Sequence, residues 1–109
     1  MSRHTRALLT IGLSIMIAVV VAGNGARVQN DWTEPFPAFR IAGNLYYVGS
    51  KGLASYLVTT PEGHILINSN LEASVPLIRT SVEALGFKFA DIKILLNTQA
   101  HYDHVAGLA

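Results

Sequence analysis

The sequence predicts an α/β domain that is incomplete within its 109 residues. Three observations carry this. Short β-branched and aromatic runs, separated by turn residues, fill Phe39 to Ile67. A segment with apolar residues three and four apart follows from Ser74 to Leu85. A second apolar run, Ile92 to Leu96, then ends in a cluster of polar side chains, and no later segment remains to cover the other face of the sheet.

The first residues read as a targeting segment. Arg3, His4 and Arg6 make a basic start, and Ala7 to Ala22 is sixteen residues without a charge. A membrane span needs about 20 apolar residues, so this stretch is short for an anchor. Val20-Val21-Ala22 is a small-residue cleavage site with Gly23 as the new first residue. Residues 1–22 are therefore expected to be a signal peptide, and the remainder to be periplasmic or secreted. Its loss leaves six basic against seven acidic residues, a net charge of −1. Lys and Arg form no basic stripe, so nucleic acid is not an expected partner, nor is a membrane after cleavage. The absence of cysteine removes disulfides, thiolate metal sites and cysteine nucleophiles together. A small exported domain without disulfides should lean on a metal, a partner or more chain. Nothing in the sequence specifies an oligomeric state.

Residues 23–38 are expected to form an extended arm, because Pro35 and Pro37 exclude a helix interior there. Trp32, Phe36 and Phe39 should pack it onto the domain. Four strands are then expected: Phe39 to Ala42, Leu45 to Val48, Ala54 to Thr59 and His64 to Ile67. Gly43-Asn44, the loop Gly49 to Gly52 and the turn Thr60-Pro61-Glu62-Gly63 separate them, which makes an antiparallel meander. His64, beside Gly63, is expected at the surface and not as a ligand. The helix should begin at Ser74 as its cap, tolerate Pro76 in its first turn, and stop at Gly86. Val75, Ile78, Val82 and Leu85 share one face, and Arg79 and Glu83 make a minor solvated pair. Ile92 to Leu96 reads as a buried strand, and Val105 to Ala109 as the opening of a second helix.

The chemistry concentrates in Gln99-Ala100-His101-Tyr102-Asp103-His104. Two histidines and an aspartate within four positions, delivered by a rigid strand, are the ligand types of a transition metal, most often zinc. If the extended geometry persists past Leu96, Gln99, His101 and Asp103 point one way, and the turn must bring His104 round. This predicts two neighbouring clusters, Gln99 with His101 and Asp103 with His104. A catalytic zinc usually takes three protein ligands, so each cluster needs at least one more from elsewhere. Tyr102 is expected to pack, and the small Ala100 lets the backbone pass close to a metal.

These residues resemble the signature of the metallo-β-lactamase superfamily, His-x-His-x-Asp-His. The flanking Asp31-Trp32, Pro37 to Ile41, Asn44 to Gly49, Gly52 to Leu57 and Gly63 to Ile67 resemble the third subclass of class B β-lactamases. The resemblance implies a four-layer αβ/βα sandwich, of which residues 39–109 are the first half. It implies one or two Zn2+ per complete domain. His101, with Gln99 standing where the family has its first histidine, would serve the first zinc; Asp103 and His104 would serve the second. The remaining histidines belong to the later half. A glutamine amide is a weaker zinc donor than imidazole, which makes the first site poorer; a minority branch of the subclass resembles this chain in carrying Gln there. Asn68 stands where many members have an aspartate supporting the site, and the missing charge weakens that support.

The implied function is zinc-dependent opening of the β-lactam ring of an antibiotic. The metal would supply the nucleophile from water at neutral pH, with Asp103 holding and orienting the second zinc and its water. No Gly-x-Ser-x-Gly elbow competes with this reading. A thioester or lactone hydrolase on the same fold is the alternative. The 109-residue chain by itself is expected to be inactive and marginal in stability.

Overall fold

The turns that punctuate the sequence set the strand order. The structure, a computed structural model, describes residues 31–109. The expected signal peptide and residues 23–30 of the arm lie outside the described residues. Strand β1 (Phe39–Ala42) turns through Gly43, at φ +55°, into β2 (Leu45–Tyr47). Strand β3 (Tyr56–Val58) follows the Gly49–Gly52 loop, and β4 (His64–Ile67) follows the Thr60–Gly63 turn. Helix α1 (Val75–Ala84) then crosses to β5 (Ile92–Leu96), and a short helix α2 (Tyr102–Val105) ends in a 3-10 turn, Ala106–Leu108. The sheet order is β1-β2-β3-β4-β5. The first four strands pair antiparallel, and β5 joins β4 in parallel. A parallel partner needs a crossover, and α1 supplies it.

The apolar stripe of α1 packs on one face of this sheet. Ile78 and Val82 meet Val48, Leu57 and Leu66 in the buried core, with Tyr46, Leu85, Phe87, Phe89 and Ile92 around it. A register irregularity between His64 and Ile65 keeps both Ile92 and Leu95 on the helix side, opposite His64 and Leu66. The other face carries Ile65, Ile67, Ile94 and Leu96 in facing pairs, and none of the four is buried.

Several expectations change in three dimensions. The arm is not extended throughout: Asp31–Thr33 are helical. Its carbonyls instead cap the Gly49–Gly52 loop. The N–H of Gly52 donates to Asp31 O at 2.7 Å, that of Lys51 to Glu34 O at 3.0 Å, and Ser50 Oγ to Trp32 O at 2.6 Å. A Cβ on Gly52 would sit 2.9 Å from the Asp31 backbone, so this seam requires glycine. The Lys51 ammonium reaches Glu34 at 3.2 Å and Asp31 at 3.6 Å, and its pKa is raised by the Glu34 hydrogen bond and then by the charges of Asp31 and Glu34. Phe36 and Phe39 do pack with Tyr47, although both remain exposed.

Ser74 does not cap α1 with its side chain. A 3-10 turn, Glu72–Ser74, precedes the helix, and the Ser74 hydroxyl accepts from the Leu71 N–H at 3.2 Å instead. Arg79 leaves Glu83 and lies over the Phe89 ring, 4.5 Å from its centroid, where the π face offers more than a solvated carboxylate. Strands β2 and β3 are shorter than predicted, since Val48 and Ser55 pair outside the ladder at 2.9 Å. His64 is buried, not superficial. Its ring packs edge-on against Phe87, and Nδ1 accepts from the Thr60 N–H at 3.2 Å, closing the turn before β4.

The largest reversal is β5. It is a strand, as predicted, yet Ile94, Leu95 and Leu96 are 49%, 45% and 48% exposed. The strand is the last in the order, so β4 covers one edge only. The second helix also begins earlier than Val105, because the turn at His101 delivers the chain into helix at Tyr102.

Candidate metal centre

Two asparagines in left-handed backbone build the floor of the polar cluster. Asn68 has φ +66° and Asn70 φ +59°, a conformation that asparagine tolerates better than most residues. Both are buried, at the end of β4. The Asn68 N–H donates to Leu96 O at 2.7 Å, which carries the β4–β5 pairing one step past the strands. Asn68 Oδ1 then accepts from the Thr98 N–H at 3.0 Å and the Thr98 hydroxyl at 3.2 Å. Ser55 Oγ holds Asn68 from the other side, donating to its carbonyl at 2.7 Å. The amide oxygen thus ties the end of β4 to the start of the 97–101 segment by hydrogen bonds.

The far side of the cluster is held by the same segment. The carbonyl of His104 accepts the Ser69 and Asn70 N–H groups, both at 3.2 Å, and the Ser69 hydroxyl at 3.3 Å. With its amide nitrogen turned toward the carbonyls, Asn97 donates to the same oxygen at 3.2 Å. The Gly107 N–H returns to Asn70 O at 3.0 Å. Here too glycine is required: a Cβ would lie 2.6 Å from Ser69 O and 2.9 Å from Val75 Cγ2. Residues 68–70 therefore grip the chain both before Gln99 and after His104.

Between these grips the extended geometry does not persist. The chain bends after Leu96, His101 sits at the N-cap of α2 with ψ 147°, and the helix starts at Tyr102. Gln99 is brought to His104, its Nε2 lying 2.6 Å from the imidazole Nε2. Asp103 Oδ2 is 3.5 Å from the same imidazole nitrogen. Gln99, Asp103 and His104 thus face one another. His101 is exposed and makes no side-chain hydrogen bond among the described residues. Tyr102 is 65% exposed, with Trp32 as its aromatic neighbour at 6.4 Å between ring centroids. His64 opens β4 at the end opposite Asn68, remote from this cluster.

Among the described residues, no group of three His, Cys, Asp or Glu side chains lies close enough to hold a metal alone. The donors that do converge are an imidazole nitrogen, a carboxylate oxygen and an amide. His104 Nδ1 is buried without a partner, so the ring is anchored chiefly through its Nε2 side. A nitrogen-and-oxygen set of this kind, free of thiolate, fits part of a zinc shell. The role of the 68–70 segment escaped the sequence reading. Its signal was Asn68-Ser69-Asn70 directly after the strand ending at Ile67, of which only Asn68 was singled out.

No family model matches the chain. Solved structures do. The chain is 67% identical to the native FEZ-1 metallo-β-lactamase from Legionella gormanii, with a TM-score of 0.68, over 69% of this chain and 29% of that one. It is 55% identical to the metallo-β-lactamase GOB-18 from Elizabethkingia meningoseptica, with a TM-score of 0.70, over 72% of this chain and 29% of that one. It is also 55% identical to LRA-12, described as a class B3 di-zinc metallo-β-lactamase from an Alaskan soil metagenome, with a TM-score of 0.70, over 72% of this chain and 30% of that one. The chain spans less than a third of the length of these structures.

Proposed function

We propose, from the premise that this chain matches part of the class B3 metallo-β-lactamase fold, that the protein it builds hydrolyses β-lactam antibiotics with zinc. The observation that carries the proposal is the convergence of Gln99, Asp103 and His104 at the end of β5. Within that protein, His104, Asp103, His101 and Gln99 are the residues of this chain that would hold one or two zinc ions. Zinc, when bound, supplies Lewis acidity and a nucleophile at neutral pH.

The chain's own contribution is positional. Asn68 and the Asn70 backbone hold the loop at both ends, so the donor side chains need little reorganisation. Asp103, partly buried beside His104, is the group of this chain suited to orient a water or accept its proton. Tyr102 stays exposed next to these residues, with its Trp32 neighbour. Export, with residues 1–22 as a cleaved signal, fits a function carried out in the periplasm or outside the cell.

The test is nitrocefin hydrolysis by the full-length protein. Turnover that falls to background with a chelator and returns with zinc supports the reading. Chelator-insensitive turnover, or none with zinc, overturns it. A thioester or lactone substrate is the second reading. Relative rates on the three substrate classes separate the two. The 109-residue polypeptide alone is proposed to be inactive, since its donor cluster is incomplete and β5 is open.

A further inference from the structure

Among the described residues, two buried side-chain atoms have no hydrogen-bond partner: Asn70 Oδ1 and His104 Nδ1. Their chemistry is complementary, because an amide oxygen only accepts and an imidazole nitrogen can carry a proton. Their residues are also tied together. The Asn70 N–H donates to His104 O at 3.2 Å, and Asn70 forms an isolated parallel bridge with the next residue, Val105. The Asn70 amide nitrogen is already engaged with Leu53 O at 3.4 Å, which fixes which end of the amide is left over. On the imidazole, Nε2 faces the Gln99 amide nitrogen at 2.6 Å. With the Gln99 amide donating to it, Nε2 is unprotonated and a neutral ring carries its proton on Nδ1; the Asp103 carboxylate, 3.5 Å from the same nitrogen, is the acceptor an Nε2–H would otherwise use.

We propose that Asn70 is the positioning residue of His104: its Oδ1 accepts the Nδ1–H, through a small side-chain adjustment or one bridging water, and holds the tautomer that presents a bare Nε2 toward Gln99 and Asp103. This rests on the zinc reading above. A ligating histidine ordinarily donates its other ring N–H to an oxygen, which fixes ring orientation and raises donor strength. Asparagine suits the position twice, since it supplies the oxygen and accepts the left-handed backbone at φ +59°.

The experiment compares the full-length protein with Asn70→Gly and Asn70→Asp. Glycine keeps the left-handed backbone and removes the acceptor, whereas aspartate keeps an acceptor oxygen. Zinc affinity is read by competition with a chromophoric chelator, and the protonated ring nitrogen of His104 by nitrogen NMR. The melting temperature of the metal-free proteins separates any loss of folding. The expected result is zinc binding about 10–100-fold weaker in Asn70→Gly and largely restored in Asn70→Asp. Wild-type His104 should be protonated at Nδ1 with and without zinc. Wild-type affinity in a folded Asn70→Gly, or a proton on Nε2 in the wild type, overturns the inference while leaving the zinc reading intact. A wild-type protein that binds no zinc overturns both. If the glycine variant does not fold, zinc affinity of Asn70→Ser, whose shorter side chain withdraws the acceptor, replaces it, and a wild-type proton on Nε2 still overturns the inference.

Discussion

Asn68 shows how one buried side chain can join two distant segments. Its amide oxygen accepts two hydrogen bonds from Thr98 and closes the gap between the end of β4 and the segment that follows β5. These bonds need an acceptor oxygen in the right place and no net charge. Tyr47 illustrates a second local balance. Its hydroxyl donates to Ser50 O at 2.5 Å, and burial, then the neighbouring Tyr56, raises its pKa above the ordinary 10.0. A raised value means that the folded state holds the phenolic proton more tightly than the unfolded chain. Stability from this group is therefore intact below about pH 10 and falls as pH rises from there through the folded value. Tyr47→Phe should cost about 1 kcal/mol at neutral pH. It should also flatten the alkaline decline, as measured by urea melts between neutral pH and pH 11.

Helix α1 was readable because its pattern is self-contained. Spacings of three and four gather Val75, Ile78, Val82 and Leu85 on one side whatever they pack against. The structure supplies the other half of the contact, with Ile78 2% and Val82 0% exposed against Leu57 and Leu66. Ile78→Ala should cost about 2–5 kcal/mol in chemical denaturation of the full-length protein, with little change in the donor loop. The donor loop behaved differently. The candidate ligand types, their spacing and the pairing of Asp103 with His104 were visible in Gln99 to His104, but the partner of Gln99 was not. A bend after Leu96 and a helix start at Tyr102 bring Gln99 to His104, where an unbroken strand would have set it beside His101.

The described unit, Asp31–Ala109, has one finished face and one unfinished side. The helix-covered face holds the core. The opposite face and the β5 edge leave Ile94 and Leu96 nearly half exposed, on a strand with one partner. An edge strand of this kind invites pairing with other chains. The isolated 109-residue polypeptide should therefore associate in a concentration-dependent way in sedimentation experiments. The double substitution Ile94→Lys and Leu96→Lys should suppress that association; monodisperse behaviour of the unmodified chain would contradict the account.

Local patterns in the chain were enough to establish the meander, the helix after it and the fifth strand, and to mark Gln99 to His104 as the candidate donors, because each depends on neighbours a few positions away. The resemblance to a metal-dependent hydrolase family was legible for the same reason: its signature is contiguous. Only the folded arrangement decided what joins positions some thirty residues apart. It set Asn68 beneath Thr98, tied the His104 carbonyl to Ser69 and Asn70, buried His64 against Phe87, and left β5 uncovered. Hydrogen bonds across such separations depend on where two segments meet in space, and no periodicity in the sequence encodes that meeting.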